Sequence, residues 1–199
     1  MTFFLVVLNI AVFLLESADM TPLIDAFALW PPHSVSLHGA PAFHVWQIAT
    51  YSLLHASVSH LFFNMFGLYM FGRDVESVLG RSRLAMLYGA SVVAGALVQL
   101  GVLLASPPAG YPTVGASAGV FGMLLTYAVL FPRRRVVLLF PPVPMPAWLF
   151  AAGYAAVELL LGVSGRQGGV AHFAHLGGML GALACLLLWS HRHSGQSVD

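Results

Sequence analysis

The chain has no lysine, a single cysteine and few charges of either sign. With Cys185 alone, no intrachain disulfide and no cysteine metal cluster can form. Charged residues make up 8% of the sequence, against roughly a quarter in a soluble domain. A net charge of +1 offers a polyanion little, so a nucleic-acid partner is excluded from the expectations. No internal repeat and no low-complexity tract is found. What remains is apolar: 59% hydrophobic residues and a mean hydropathy of +0.86, the composition of an integral membrane protein. At about 20 residues per span, six helices with short loops nearly use up 199 residues, so residues 1–199 read as one membrane domain. The first segment, Thr2 to Leu15, has the length of a signal-peptide core. It lacks a basic start and runs into Glu16 instead of a small-residue cleavage site, so it reads as a retained span.

Apolar stretches bounded by Pro, Gly or charge place spans at about 2–15, 47–71, 84–105, 114–131, 146–163 and 169–190. With the N-terminus inside, Arg73, Arg81 and Arg83 follow span two, Arg133, Arg134 and Arg135 follow span four, and Arg192 lies in the tail. Only Arg166 is then outside, which is the asymmetry the positive-inside rule demands. Both termini are expected to be cytoplasmic. Residues 16–46, with Pro22, Pro31, Pro32 and Pro41, become an external loop whose Trp30 suits an interfacial position, as do Phe43 and Trp46 nearby.

Depth is the informative coordinate. From Ser117 to Pro132 is about 15 residues, roughly 22 Å of helix at 1.5 Å per residue, against a hydrocarbon core of about 30 Å. Ser117 therefore lies at the bottom of a depression, below the non-helical run Pro107–Pro112. His175 stands a similar distance before Ser190, and His60 a similar distance before Arg73, with Asn64 one turn deeper on the same face. Three spans thus bring a serine, a histidine and a His–Asn pair to one depth. Serine needs an adjacent base to act as a nucleophile, and His175 is the candidate. Ser117 also opens a helix, so free backbone N–H groups surround it. Those groups, with His60 and Asn64, are suited to hold an oxyanion. Gly115, Gly119 and Gly122 keep bulk away from the serine. Ala171, Ala174, Gly178, Gly181 and Cys185 form a small-residue stripe that admits close approach of span four.

Taken singly, each feature has a plainer reading. Gly-x-Ser-x-Gly in an apolar helix is commonly packing, a lone histidine can be a satisfied polar group, and Asn64 can be interhelical glue. Matched depth is what argues for one site. Glu158 reaches a similar level on span five, where a carboxylate can orient a histidine, tune a gate or sit hydrogen-bonded between helices. The last of these is the expectation. His172 is read as a group near external water or substrate, and His55 as structural. His33, His38 and His44 lack the spacing of a metal site, the Arg133–Arg135 run reads as a topology anchor, and Met65, Met70, Met123 and Met179 read as core.

These residues resemble the rhomboid family of intramembrane serine proteases over nearly the whole chain. The resemblance rests on Gly115-Ala116-Ser117 opening the fourth span, on Ala174-His175 in the sixth, and on His55, His60 and Asn64 in the second. It implies an all-α polytopic bundle of six transmembrane helices and an endopeptidase that cleaves transmembrane segments of membrane-protein substrates. Ser117 would be the nucleophile and His175 the base, a dyad without a carboxylate and without metal or cofactor. His60, Asn64 and the Ser117 N–H would form the oxyanion hole. Substrate would arrive sideways from the bilayer, past spans two and five, and the location expected is the cytoplasmic membrane. Three positions depart from the family pattern: Ala118 after the serine, Trp46-Gln47 where a Trp-Arg pair is usual, and Phe121 where a Tyr packs on the base. A non-catalytic relative that binds membrane clients is the alternative. A small channel or transporter fits less well, because paired broken helices are missing.

Overall fold

The computed structural model describes residues 1–16, 20–32, 41–105, 111–137, 142–165 and 170–194, with side chains omitted for Met20 and 192–194. His33, His38, Pro107 to Gly110 and Arg166 lie outside the described residues. Seven α-helices are described: α1 (Thr2–Glu16), α2 (Met20–Phe27), α3 (Gln47–Thr50), α4 (Val58–Leu104), α5 (Ser117–Leu130), α6 (Ala147–Ser164) and α7 (His172–Ser194). Two short strands, β1 (Arg135–Val137) and β2 (Pro144–Pro146), pair antiparallel between α5 and α6. Helices α4, α6 and α7 are long and apolar enough to cross a membrane, while α1 and α5 are shorter apolar helices.

Several boundaries differ from the sequence expectation. The span expected from residue 47 starts at Val58, because α3 gives way to a 3-10 turn at Tyr51–Leu53 and an extended Leu54. Ser57 then restarts the helix: its backbone is extended and its side chain accepts the His60 N–H at 3.1 Å, satisfying one orphan donor. No loop separates the expected spans two and three. They are two arms of α4 joined at Gly80, whose φ of 79° turns the chain. The expected external loop contains α2, and Leu29 bridges to Thr113 by two backbone hydrogen bonds. Trp30 is buried, not interfacial, whereas Trp46 is exposed. The fourth span begins at Ser117, not 114, since Gly115 has a φ of 121° that no helix contains. The last helix runs on to Ser194.

Arginines gather at the end where the arms of α4 meet. Arg134 pairs with Asp74 and lies over Phe131, Arg83 lies over Trp189, and Arg81 approaches Glu76, which also accepts the Thr2 N–H. Arg134 is thus a structural partner as well as a charge. Three buried side chains donate within their own helices: Ser91 to the Leu87 carbonyl, Thr126 to Gly122 and Asn9 to Leu5.

Helix α5 is enclosed by α4 and α7, and small residues set the distances. A Cβ at Gly178 would stand 2.0 Å from the Ala118 carbonyl oxygen, so α7 lies directly on the first turn of α5. The small-residue stripe is divided, however. Gly181, like Gly177, packs on the second arm of α4, against Ala90 and Ala94, and Gly119 faces the Tyr88 ring instead of α7. Met65, Met123 and Met179 are buried in the core and Met70 packs at its edge. Gly178→Ala is expected to lower stability by about 1–3 kcal/mol through overpacking. Gly89→Ala, where a Cβ meets nothing within 4 Å, should not lower it. Thermal unfolding of the two variants in detergent checks the contrast.

Candidate active site

Two polar groups meet where α5 begins. His175 Nε2 lies 2.8 Å from Ser117 Oγ, a hydrogen bond between helices 58 positions apart in sequence. Ser117 is the first residue of α5, so its N–H and those of Ala118 and Gly119 have no acceptor within the helix. Phe121, one turn on, stacks on the His175 ring with centroids 4.4 Å apart and planes 5° from parallel. That contact fixes the imidazole plane without a hydroxyl. The ring has one Nε2 edge toward the serine and its other nitrogen toward α6.

Gly115 ties the serine to the histidine–asparagine pair. Its N–H donates to the Tyr51 carbonyl at 2.9 Å, and the Tyr51 hydroxyl donates to the Val92 carbonyl, so the turn is pinned to α4. A Cβ at Gly115 would stand 2.7 Å from His60 Nε2 and 3.7 Å from Asn64 Nδ2. Both side chains therefore face the turn that precedes Ser117. Asn64 Nδ2 donates to the His60 carbonyl at 3.0 Å, which leaves its second N–H free to point elsewhere. His60 Nδ1 accepts from the Ala56 N–H, so Nε2 is the nitrogen that carries the proton. His55 is buried away from this face, its N–H donating to Glu16 and its ring edge-on to His60.

Two further residues join the group: Glu158, which is hydrogen-bonded between helices as expected, and His172, which was expected near external water or substrate. Glu158 is buried on α6, and its Oε2 lies 2.6 Å from His172 Nδ1 and 2.9 Å from His175 Nδ1. His172 is buried at 5% exposure, so the expected contact with external water or substrate is replaced by a contact with this carboxylate. The i, i+3 spacing of the two histidines was the signal in the sequence that they share a face. These distances are those of direct contact. Two ligands of a tetrahedral zinc, with bonds of about 2.0–2.1 Å, would stand about 3.3 Å apart. The group is packed too closely for a cation between its members.

A cavity of about 760 Å³ runs from His60, Asn64, Ser117 and His175 outward. Phe63 and Phe66 of α4 form one wall, and Phe150 and Tyr154 of α6 the other. Ala56, ahead of α4, and Tyr111 to Val114 complete the lining. Earlier in the segment before α4, Gln47 is fully buried, with Oε1 accepting from the Trp30 and His44 N–H groups and Nε2 donating to the Ala26 carbonyl. Gln47 thus anchors the loop at the position where the family pattern has arginine.

These are the features of a helical membrane protein with a serine–histidine contact opening on a lateral apolar groove. The Rhomboid domain family matches residues 42–192. The chain belongs to the rhomboid family. It is 37% identical over 131 residues to Rhomboid protein 1, mitochondrial, of Saccharomyces cerevisiae, covering 65% of this chain and 38% of that protein. It is 34% identical over 91 residues to Rhomboid protease GluP of Bacillus subtilis, covering 45% and 17%. To Rhomboid-related protein 3 of Homo sapiens it is 28% identical over 195 residues, covering 78% and 46%. The chain spans less than half the length of each of these relatives.

Gly115→Ala should both strain the turn, by about 1–3 kcal/mol, and push the His60 ring from its place. Histidine NMR spectra should then show the His60 signals moved and the His175 signals retained.

Proposed function

We propose that this chain is an intramembrane serine endopeptidase that cleaves transmembrane segments of membrane-protein substrates. The observation that carries the reading is the 2.8 Å contact of His175 Nε2 with Ser117 Oγ at the closed end of a groove walled by α4 and α6. In this mechanism Ser117 Oγ attacks the scissile carbonyl while its proton passes to His175 Nε2. The oxyanion is held by the Ser117 N–H, by Asn64 Nδ2 and by His60 Nε2. His175 then gives its proton to the leaving amine, and water entering the cavity hydrolyses the acyl ester. Every step uses side chains and backbone of this chain.

The bilayer context follows from the same parts. Helix α1, both arms of α4, α5, α6 and α7 together supply six crossings in one membrane domain. Exposed Phe3, Phe4 and Leu14 on α1, with Leu160 and Val163 on α6, suit contact with lipid. The arginine-bearing end is assigned to the cytoplasm, with both termini, in a cytoplasmic-type membrane. An extended segment from a neighbouring helix fits between Phe63 and Tyr154, which is the lateral route between spans two and five. The same groove would serve a non-catalytic client-binding protein, and chemistry at Ser117 separates the two.

The deciding experiment is cleavage of a reporter with a helix-weakened transmembrane segment in liposomes. Wild type should cleave it, and Ser117→Ala and His175→Ala should abolish cleavage. Asn64→Ala is expected to lower kcat by about 10²–10³-fold, the loss of one oxyanion donor. Equal cleavage by the Ser117 variant would sink the assignment. A folded wild type that neither cleaves nor reacts with a fluorophosphonate would favour client binding.

A further inference from the structure

Hydrocarbon-facing helices rarely carry a carboxylate, and α6 carries Glu158 although its remaining buried residues are only Ala147, Phe150 and Ala151. The side chain faces inward, to the two histidines of α7. Burial of an unpaired carboxylate is costly, so its partners must be donors. His172 Nδ1 at 2.6 Å meets that need with a short hydrogen bond. His175 Nδ1 lies 2.9 Å from the same oxygen, but its N–H does not point straight along the line, and no other hydrogen-bond partner reaches that nitrogen among the described residues. The imidazole between Glu158 and Ser117 thus has one nitrogen toward an anion and the other toward a hydroxyl. An anion at Nδ1 favours the Nδ1–H tautomer, which leaves the Nε2 lone pair free for the serine proton. It also stabilises the imidazolium that forms when that proton arrives.

We propose that Glu158 is a positioning residue that completes a Ser117–His175–Glu158 relay, with His172 as the second donor that holds the carboxylate in place. The inference rests on the protease reading and deepens it: the base is oriented by a carboxylate supplied from a different helix. His172 keeps the carboxylate from turning to solvent, since it is buried itself and its Nδ1 holds the oxygen at 2.6 Å. The other groups facing the His175 ring among the described residues are Ser117 and Phe121 on α5, His172 on α7 and His60 on α4, and none of these supplies a negative charge. Glu158 therefore has no substitute.

The test compares Glu158→Gln with wild type in the liposome assay, with kcat and KM measured separately. Loss of the negative charge beside His175 Nδ1 should lower kcat by about 10- to 100-fold. KM should stay within about twofold, because the carboxylate does not touch substrate. The rate of fluorophosphonate labelling at Ser117 should fall in parallel with kcat. A second measurement needs no variant at position 158: in wild-type protein labelled with ¹⁵N-histidine, His172 and His175 should both be Nδ1–H tautomers with protons far downfield. Their assignment comes from His172→Gln and His175→Gln. Full kcat in Glu158→Gln would overturn the proposal, as would a loss confined to KM or to thermal stability. An Nε2–H tautomer at His175 would overturn it too. If Glu158→Gln does not fold, the wild-type tautomers decide. If wild type is unreactive toward both substrate and fluorophosphonate, the protease reading fails, while the spectra still judge the Glu158 contact.

Discussion

The carbonyl oxygen of Ala118 occupies the space that a side chain at position 178 would need, and the site is built around that contact. Without lipid-independent hydrophobic attraction between helices, close approach in a membrane depends on small residues and on the dispersion contacts they allow. Gly178 lets α7 rest on the opening turn of α5, one residue from Ser117 and one turn from His175. The hydrogen bond between those two side chains then costs little further ordering, because both backbones are already fixed. Stacking by Phe121 removes the remaining freedom of the ring.

A short helix makes this arrangement possible in lipid. Helix α5 has 14 residues, about 21 Å of rise, so in the proposed six-span arrangement its N-terminus ends inside the bilayer thickness, where bare N–H groups would be costly in hydrocarbon. The turn at Gly115, the Tyr51 carbonyl and the polar faces of His60 and Asn64 surround that terminus. The same donors that would be a liability against lipid become a pocket for negative charge. Burial of the helix end and its chemistry share one solution.

Much of this was legible in the residues because depth along a helix is a ruler. Ser117, His175, His60 and Asn64 were aligned by counting back from Pro132, Ser190 and Arg73, and the described arginines gather at the end of the bundle where the arms of α4 meet. What the ruler could not supply was rotation about each helix axis. Gly181 was assigned to the α5 contact and faces α4, Gly119 was assigned to α7 and faces Tyr88, and His172 was assigned to water and faces Glu158. Loop structure was also beyond it. A restart at Ser57 and a turn without a loop at Gly80 depend on one cap and one positive φ, which hydropathy averages away.

Glu158 gives α6 a role different from that of the other helices. Its outward residues, among them Leu159, Leu160 and Val163, are exposed, and its inner contacts are mostly with alanine and aromatic side chains. Such a face gives up little apolar burial when it moves. The polar contact to α7 is the exception, since separating it leaves a carboxylate and two imidazoles unpaired in a dry interior. On the proposed protease reading the groove walled by α6 widens to admit a polypeptide, and widening at Phe150 and Tyr154 need not carry Glu158 away, because Glu158 lies one turn beyond Tyr154 toward the helix end. A tilt pivoting at the Glu158 contact would open the groove and leave the base oriented. A translation of the whole helix would disorient it. The placement of one carboxylate thus distinguishes a motion compatible with the proposed catalysis from one that is not.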